Sequence, residues 1–142
     1  IVLGTYIKRK SNLIFIGREK KVIDIDELKL CLNETSSNLC LCGIDAKMIV
    51  DIKKEYPIGI IHKIYDYLED ILEISFSSLK SILFCVYEEK GVIQVNATVD
   101  ANSNFKKLKK IYPSVEIEKD EDELWYLTLK IKEGDYHEPE SI

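Results

Sequence analysis

Four titratable side chains recur at helical spacing in the middle of the chain. At intervals of four, three and four residues, they are His62, Asp66, Glu69 and Glu73. This spacing places all four on one face of a helix, where Glu69 and Glu73 repel each other unless a cation, a proton or a lysine compensates. The pattern indicates either an acid/base or divalent-metal cluster, or a solvated helix face with lysine partners such as Lys63.

A second polar run follows an apolar strand pattern about thirty residues later. It reads Asp100-Ala101-Asn102-Ser103-Asn104 and is followed by Phe105 and by four lysines within residues 106–110. One interpretation is a ligand site backed by a phosphate or partner-docking patch. The other is a turn with a helix N-cap, followed by an amphipathic helix with solvated lysines, because Asp, Asn and Ser are the residues such a junction needs.

The four cysteines favour reduced, buried thiols over a metal site. They lie within apolar patterns, at Cys31, Cys40, Cys42 and Cys85. Cys40 and Cys42 do not have the spacing of a zinc knuckle, and the sequence has only two histidines to complete a ligand set.

The elements that must position these residues alternate between helix and strand. A long helix is predicted from Ile58 to about Leu79, with Pro57 at its start and an apolar stripe that includes Leu68 and Phe76. Strand patterns cover residues 46–52, 82–87, 93–99 and 125–131, and another strand begins at Val115. A short helix is predicted around residues 105–112.

Two further helices are predicted before the sheet, over residues 1–15 and from about residue 23 to a stop at Gly43. The sequence therefore predicts a helical hairpin at 1–43, which is a candidate dimerisation element, an α/β domain at 44–134 and a polar tail at 135–142. The expected fold is α/β of the α+β kind: a two-layer sandwich whose mixed sheet of about five strands has helices on one face and a polar opposite face.

Composition excludes several classes of function. The chain has 142 residues and a net charge of −5, which argues against nucleic-acid binding. Its apolar runs are far shorter than the ~18 residues that span a bilayer. The first residue is Ile1, so we expect a fragment of a cytoplasmic protein, in which any membrane anchor lies upstream.

The order of elements from about residue 26 to 132 resembles the GHKL ATPases, which include the catalytic domains of sensor histidine kinases. Residues 67–73 fall where those kinases carry Glu-x-x-x-Asn on the long helix. Residues 99–105 fall where they carry Asp-x-Gly-x-Gly after a strand. Residues 125–131, followed by Gly134, are similar to their closing strand.

The resemblance implies roles for individual residues. Glu69 is similar to the glutamate that positions the attacking water, and Asp100 to the aspartate that receives the adenine amino group. Glu73 replaces the asparagine that ligates Mg²⁺, and Asn102 and Asn104 replace two glycines of the nucleotide loop. Only 14 residues, 101–114, precede the next predicted strand, so the nucleotide lid and its phosphate-binding glycines are expected to be missing.

These departures imply a catalytically inactive domain that binds ATP and Mg²⁺ weakly or not at all. The first functional hypothesis is the ATPase-like domain of a sensor histidine kinase-like protein, dimerising through its N-terminal helices and meeting a response regulator or another signalling partner. The alternative is a non-enzymatic interaction module that docks a partner through residues 8–10 or through the acidic helix face. A metal-dependent hydrolase using Glu69 and Glu73 is a third hypothesis.

Overall fold

The computed structural model describes residues 22–23, 25–52 and 55–132. The predicted helix over residues 1–15 and the tail at 135–142 lie outside the described residues, so the helical hairpin and the domain boundaries stay predictions. The helices are α1 (Ile25–Leu41), α2 (Ile58–Ser75) and α3 (Leu108–Ile111), and a 3₁₀ turn (Phe105–Lys107) runs directly into α3.

A five-stranded mixed sheet forms one layer of the domain, as predicted. Its strands lie in the order β2-β4-β5-β7-β6. The edge pair β2–β4 is parallel and the other neighbours are antiparallel. The strand bounds are β2 (Asp45–Asp51), β4 (Ser81–Glu89), β5 (Val92–Asp100), β6 (Glu116–Lys119) and β7 (Trp125–Lys132).

Strict alternation along the central strands separates the two faces of this sheet. In β5, Ile93, Val95, Ala97 and Val99 are buried, and the residues between them are half-buried. The buried face packs against α1 and α2, which gives the two-layer α+β architecture. The opposite face carries polar side chains but also the exposed apolar residues Ile49 and Leu83.

Helix α2 buries one broad stripe that includes Ile64, Leu68 and Ile71, as its periodicity predicts. It ends at Ser75, four residues before the predicted end, and Phe76 is 44% exposed rather than part of the stripe. The hydroxyl of Ser75 donates to the carbonyl of Ile71, and the amide of Ser78 donates to the carbonyl of Ser75 in a turn. Serines favour such local bonds over helix propagation.

Two features of the fold differ from the sequence-based expectations. A small antiparallel sheet pairs β1 (Val22–Ile23) with β3 (Tyr56–Pro57), and strands of two residues are too short to leave a periodic signal. The expectation of buried thiols is wrong for Cys40 and Cys42, which are exposed. Both lie at the C-terminal end of α1, beyond Leu39, the last residue of its buried stripe.

Candidate functional site

Helix α2 carries a cluster of three carboxylates on its polar face. Glu69, Asp70 and Glu73 each offer an oxygen within 4.8 Å of the others, with Glu69 and Asp70 half-buried and Glu73 exposed. The structure thus brings together the predicted catalytic residue Glu69 and the predicted metal ligand Glu73. Asp70 is a third member that the spacing argument missed, because Asp70 is offset from the stripe of residues 62, 66, 69 and 73.

Crowding within this cluster alters the protonation of Glu69. Burial, followed by the neighbouring carboxylates of Glu73, Asp70 and Asp66, raises the pKa of Glu69 to about 7. A side-chain hydrogen bond to Asp70 also favours the protonated form. At pH 7 Glu69 is therefore about half protonated, and a divalent cation would have to displace that proton.

Asp70 links the cluster to the end of α3. The hydroxyl of Tyr112 donates a hydrogen bond of 2.6 Å to Oδ2 of Asp70. The Tyr112 ring packs edge-on against Tyr67 of α2, with ring centroids 5.2 Å apart. Burial, followed by this bond, raises the pKa of Tyr112, so the hydroxyl stays a donor at neutral pH. No sequence pattern predicts a contact across 42 residues.

The polar run after β5 forms a tight junction at the end of that strand. The carbonyl of Asp100 accepts from the amide of Lys80 at 2.8 Å, and the hydroxyls of Ser103 and Ser78 are 2.9 Å apart. Oδ1 of Asn104 accepts from the amide of Lys106 at 3.0 Å and caps the 3₁₀ turn. The N-cap interpretation of this run is therefore confirmed at Asn104.

An open cleft of about 970 Å³ lies beside this junction. Its walls are the loop residues 102–104, three lysines, Ile117 and Trp125; the lysines are Lys106, Lys109 and Lys119. Asn102 and Asn104, two of the predicted nucleotide-binding residues, thus line the same cavity. Lys119 is a cleft residue that the sequence analysis missed, although its place opposite Trp125 follows from strand pairing.

The predicted site residues therefore divide into three places in the described part of the chain. Glu69 and Glu73 belong to the acidic cluster, and Asn102 and Asn104 line the cleft. Asp100 lines neither and ends β5 opposite Ser81. The roles predicted for these residues stay predictions.

The aromatic rings of Trp125 and Phe105 pack on the helix-facing side of the sheet at the end of β5. Trp125 pairs with Val99, the residue before Asp100, and is 8% exposed, as expected for a core position. Its ring packs against the fully buried ring of Phe105, with centroids 5.3 Å apart and an angle of 66° between the planes. The helix-facing side of the strand end is consequently occupied by the protein's own side chains.

Comparison with known proteins identifies this architecture. No protein-family model and no curated protein matches the sequence. Solved structures do match: the histidine kinase AdeS of Acinetobacter baumannii superposes with a TM-score of 0.56 at 6% identity, covering 89% of this chain and 76% of that one. The catalytic domain of the histidine kinase ThkA, in a nucleotide-free form, gives a TM-score of 0.52 at 11% identity over 79% of this chain and 94% of that one.

The chain has the fold of a histidine kinase catalytic domain. The fold expected from the order of elements is thereby confirmed. In this fold, α2 is the long helix that carries the acidic cluster, and β5 is the strand that ends at Asp100 and precedes residues 101–104. None of the helices among the described residues is long and apolar enough to cross a membrane.

Proposed function

We propose that this chain is the ATPase-like domain of a sensor histidine kinase-like signalling protein whose nucleotide site is vestigial. The observation that carries the proposal is the likeness of its fold to two histidine kinase structures. That likeness agrees with the element order from which the residue roles were carried over. The departures at those residues are the reason for proposing a vestigial rather than a working site.

The first departure is the length of the connection between β5 and β6. Fifteen residues, 101–115, join the two strands, and seven of them form the 3₁₀ turn and α3. Both short helices are packed in place, by Phe105 against Trp125 and by Tyr112 against Tyr67. This leaves no stretch between β5 and β6 that could act as a nucleotide lid, and a phosphoryl-transfer enzyme depends on positioning and on charge stabilisation.

The second departure concerns the adenine end of the site. The resemblance assigns adenine recognition to Asp100, which follows Val99 at the end of β5. On the helix-facing side of this strand end, Trp125 pairs with Val99 and packs against Phe105, so a base could enter that side only by displacing packed aromatic side chains. We therefore infer that adenine binding at Asp100 is weak.

The residues at the expected Mg²⁺ position can be compared with the ligands that this ion prefers. Carboxylate oxygens are the ligands that Mg²⁺ prefers, and the acidic cluster offers three within 4.8 Å of one another, so the donor set fits the ion. Two features oppose tight binding: the raised pKa of Glu69, about 7, favours its protonated form, and the Asp70 carboxylate already accepts a hydrogen bond from Tyr112. When bound, Mg²⁺ would supply charge neutralisation for phosphates, and Glu69, Asp70 and Glu73 are the residues that would hold it.

A titration with a fluorescent ATP analogue in the presence of Mg²⁺, together with a phosphate-release assay, tests this proposal. We expect a dissociation constant of about 1 mM or weaker and no release of phosphate above the buffer rate. Asp100→Ala should leave the weak signal unchanged. Tight binding that Asp100→Ala abolishes, or hydrolysis that Glu69→Gln abolishes, would contradict a vestigial site.

A second candidate function, a non-enzymatic interaction module, is favoured by the open face of the sheet. Ile49 of β2 and Leu83 of β4 are 42% and 37% exposed, and the strand register places them on the same face. Exposed apolar side chains grouped on one face are typical of a surface that meets another protein. The partners proposed are a second copy of the chain, joined through the N-terminal residues 1–43, and a response regulator or other signalling protein.

A further inference from the structure

The cleft beside the 3₁₀ turn concentrates positive charge in a chain whose net charge is −5. Lys109 is held in place by a hydrogen bond of 2.8 Å from Nζ to the carbonyl of Val115. Nζ of Lys119 lies 5.1 Å from the centroid of the Trp125 ring. Among the described residues, neither these two lysines nor Lys106 forms an ion pair with a carboxylate.

Strand register keeps the neighbouring carboxylates out of the cleft. Lys119 pairs with the buried Trp125 and therefore lies on the helix-facing side of the sheet. Glu116 and Glu118 alternate with these positions and pair with Thr128 and Tyr126, on the opposite face. The cleft thus collects ammonium groups while the acids of the same strand face away from it.

The acidic cluster of α2 does not line the cleft either. Among the described residues, a ligand in the cleft would therefore meet three ammonium groups and the polar side chains of Asn102 and Ser103, but no carboxylate. Lysine ammonium groups bind phosphate as point charges, and several of them can take the place of a metal ion in neutralising a chain of phosphates. The volume of about 970 Å³ lies within the range of small-molecule sites.

We propose that this cleft binds a small molecule carrying two or more linked phosphate groups, and that it does so without a divalent cation. Lys106, Lys109 and Lys119 supply the charge, and the 102–104 loop supplies polar contacts. The cleft includes Asn102 and Asn104, which the resemblance assigns to the nucleotide loop, so the inference rests in part on the proposed function. The other residues assigned to ATP and Mg²⁺ by resemblance, Asp100, Glu69 and Glu73, are not part of the described cleft wall.

The sequence contains a single tryptophan, Trp125, and it lines the cleft, so indole emission reports directly on binding. The full chain is titrated with sodium tripolyphosphate in buffer containing EDTA, and in parallel with orthophosphate and ATP. We expect a saturable emission change, with tripolyphosphate binding about tenfold more tightly than orthophosphate and affinity falling as salt is added. ATP that binds no better than tripolyphosphate identifies the phosphate chain as the recognised group, whereas binding of ATP alone overturns the proposal.

Matched lysine variants separate the cleft from general surface charge. Lys106→Gln should weaken tripolyphosphate binding about fivefold, as expected for the loss of one partly exposed charge pair. Lys107→Gln and Lys110→Gln lie in the same segment but outside the cleft wall, and should change affinity little. Calorimetry on the same four proteins provides a readout that does not depend on Trp125.

Three results would overturn the proposal: no saturable change, equal weakening in all three variants, or binding that appears only when Mg²⁺ is added. The cleft proposal and the vestigial-site proposal can fail independently. Detectable ATP hydrolysis would contradict the vestigial-site proposal but would not contradict the cleft proposal. Metal-free tripolyphosphate binding that persists in Asp100→Ala would support the cleft whatever the hydrolysis assay gives.

Discussion

Glu69 lies half-buried among other carboxylates of α2, and its protonation couples the acidic cluster to the stability of the fold. Its pKa of about 7 in the folded state compares with 4.5 for an ordinary glutamate. Between these values the folded protein binds more protons than the unfolded chain, so its stability falls as the pH rises. The full cost of ionising Glu69 is present above about pH 7 and is absent below about pH 4.5.

Glu69→Gln should remove this cost. Because Glu69 is only partly buried, solvent screening reduces the expected gain at pH 8 to about 1 kcal/mol, or a melting temperature higher by about 4 °C. At pH 4.5 the variant and the parent should melt at similar temperatures. Thermal melts at the two pH values measure the difference, with the exposed Glu118→Gln as a control. Equal stabilisation at both pH values would contradict a raised pKa.

Tyr112 ties α3 to the acidic cluster through a single hydroxyl group. Tyr112→Phe keeps the ring that packs on Tyr67 but removes the bond to Asp70, which should lower the free energy of unfolding by about 1.5 kcal/mol. Tyr126→Phe is the matched control, because its 2.8 Å bond to Asp120 is exposed to solvent and should contribute little to stability. Urea denaturation of both variants measures the contrast, and equal losses would show that burial of the Tyr112 contact contributes nothing.

At the scale of elements, the β4–β5 hairpin lies within the sheet, with a strand on either side, and its turn requires positive φ angles. Lys90 and Gly91 connect the strands with φ angles of +52° and +78°. Two positive φ angles in a two-residue loop favour Asn-Gly, because Asn and Gly adopt the left-handed region more readily than other residues. Lysine at position 90 is therefore a local mismatch.

Lys90→Asn should stabilise the protein by about 0.5 kcal/mol, and Gly91→Ala should destabilise it by about 1 kcal/mol. A Cβ atom at residue 91 would meet nothing within 4 Å, so the cost of Gly91→Ala is conformational rather than steric. Chemical denaturation of the two variants tests both signs. A stability loss in Lys90→Asn would contradict the backbone argument.

At the scale of the whole molecule, opposite charges are gathered at separate places. Carboxylates cluster on α2, and the ammonium groups of three lysines line the cleft between the 3₁₀ turn and β6–β7. The proposed signalling domain and the alternative interaction module share this fold and differ in whether a nucleotide binds the native state. A ligand that binds only the folded state must raise the melting temperature.

We expect the melting temperature to rise by less than about 1 °C at millimolar MgATP, because the sites assigned by resemblance are altered. Metal-free tripolyphosphate should raise it further, through the cleft. Lys106→Gln should reduce the tripolyphosphate shift and leave the MgATP result unchanged. A large shift with MgATP that requires Mg²⁺ would instead indicate a working nucleotide site on α2.

Much of the fold followed from local pattern. The apolar stripe of α2 and the alternation of β5 and β7 predicted which faces are buried. The prediction works because apolar residues on one buried face recur about every 3.6 residues in a helix and every second residue in a strand. Element order was sufficient to indicate a histidine kinase catalytic fold at 6–11% identity, since packing constrains the pattern of apolar residues more than their identity. The early end of α2 escaped prediction because local serine hydrogen bonds decided it.

For the candidate site, the sequence by itself placed Glu69 and Glu73 on one helix face and offered a helix cap within residues 100–104, because neighbours along a helix or turn are set by local geometry. Only the tertiary structure decided that Asp70 is hydrogen-bonded to Tyr112, that Trp125 pairs with Val99 and packs against Phe105, and that Lys119 joins Lys106 and Lys109 in one cleft. These contacts join residues far apart in the chain through strand register and side-chain packing. A periodic sequence pattern does not indicate which residues far apart in the chain will be in contact. The separation of the acidic cluster from the basic cleft is therefore determined only by the folded structure.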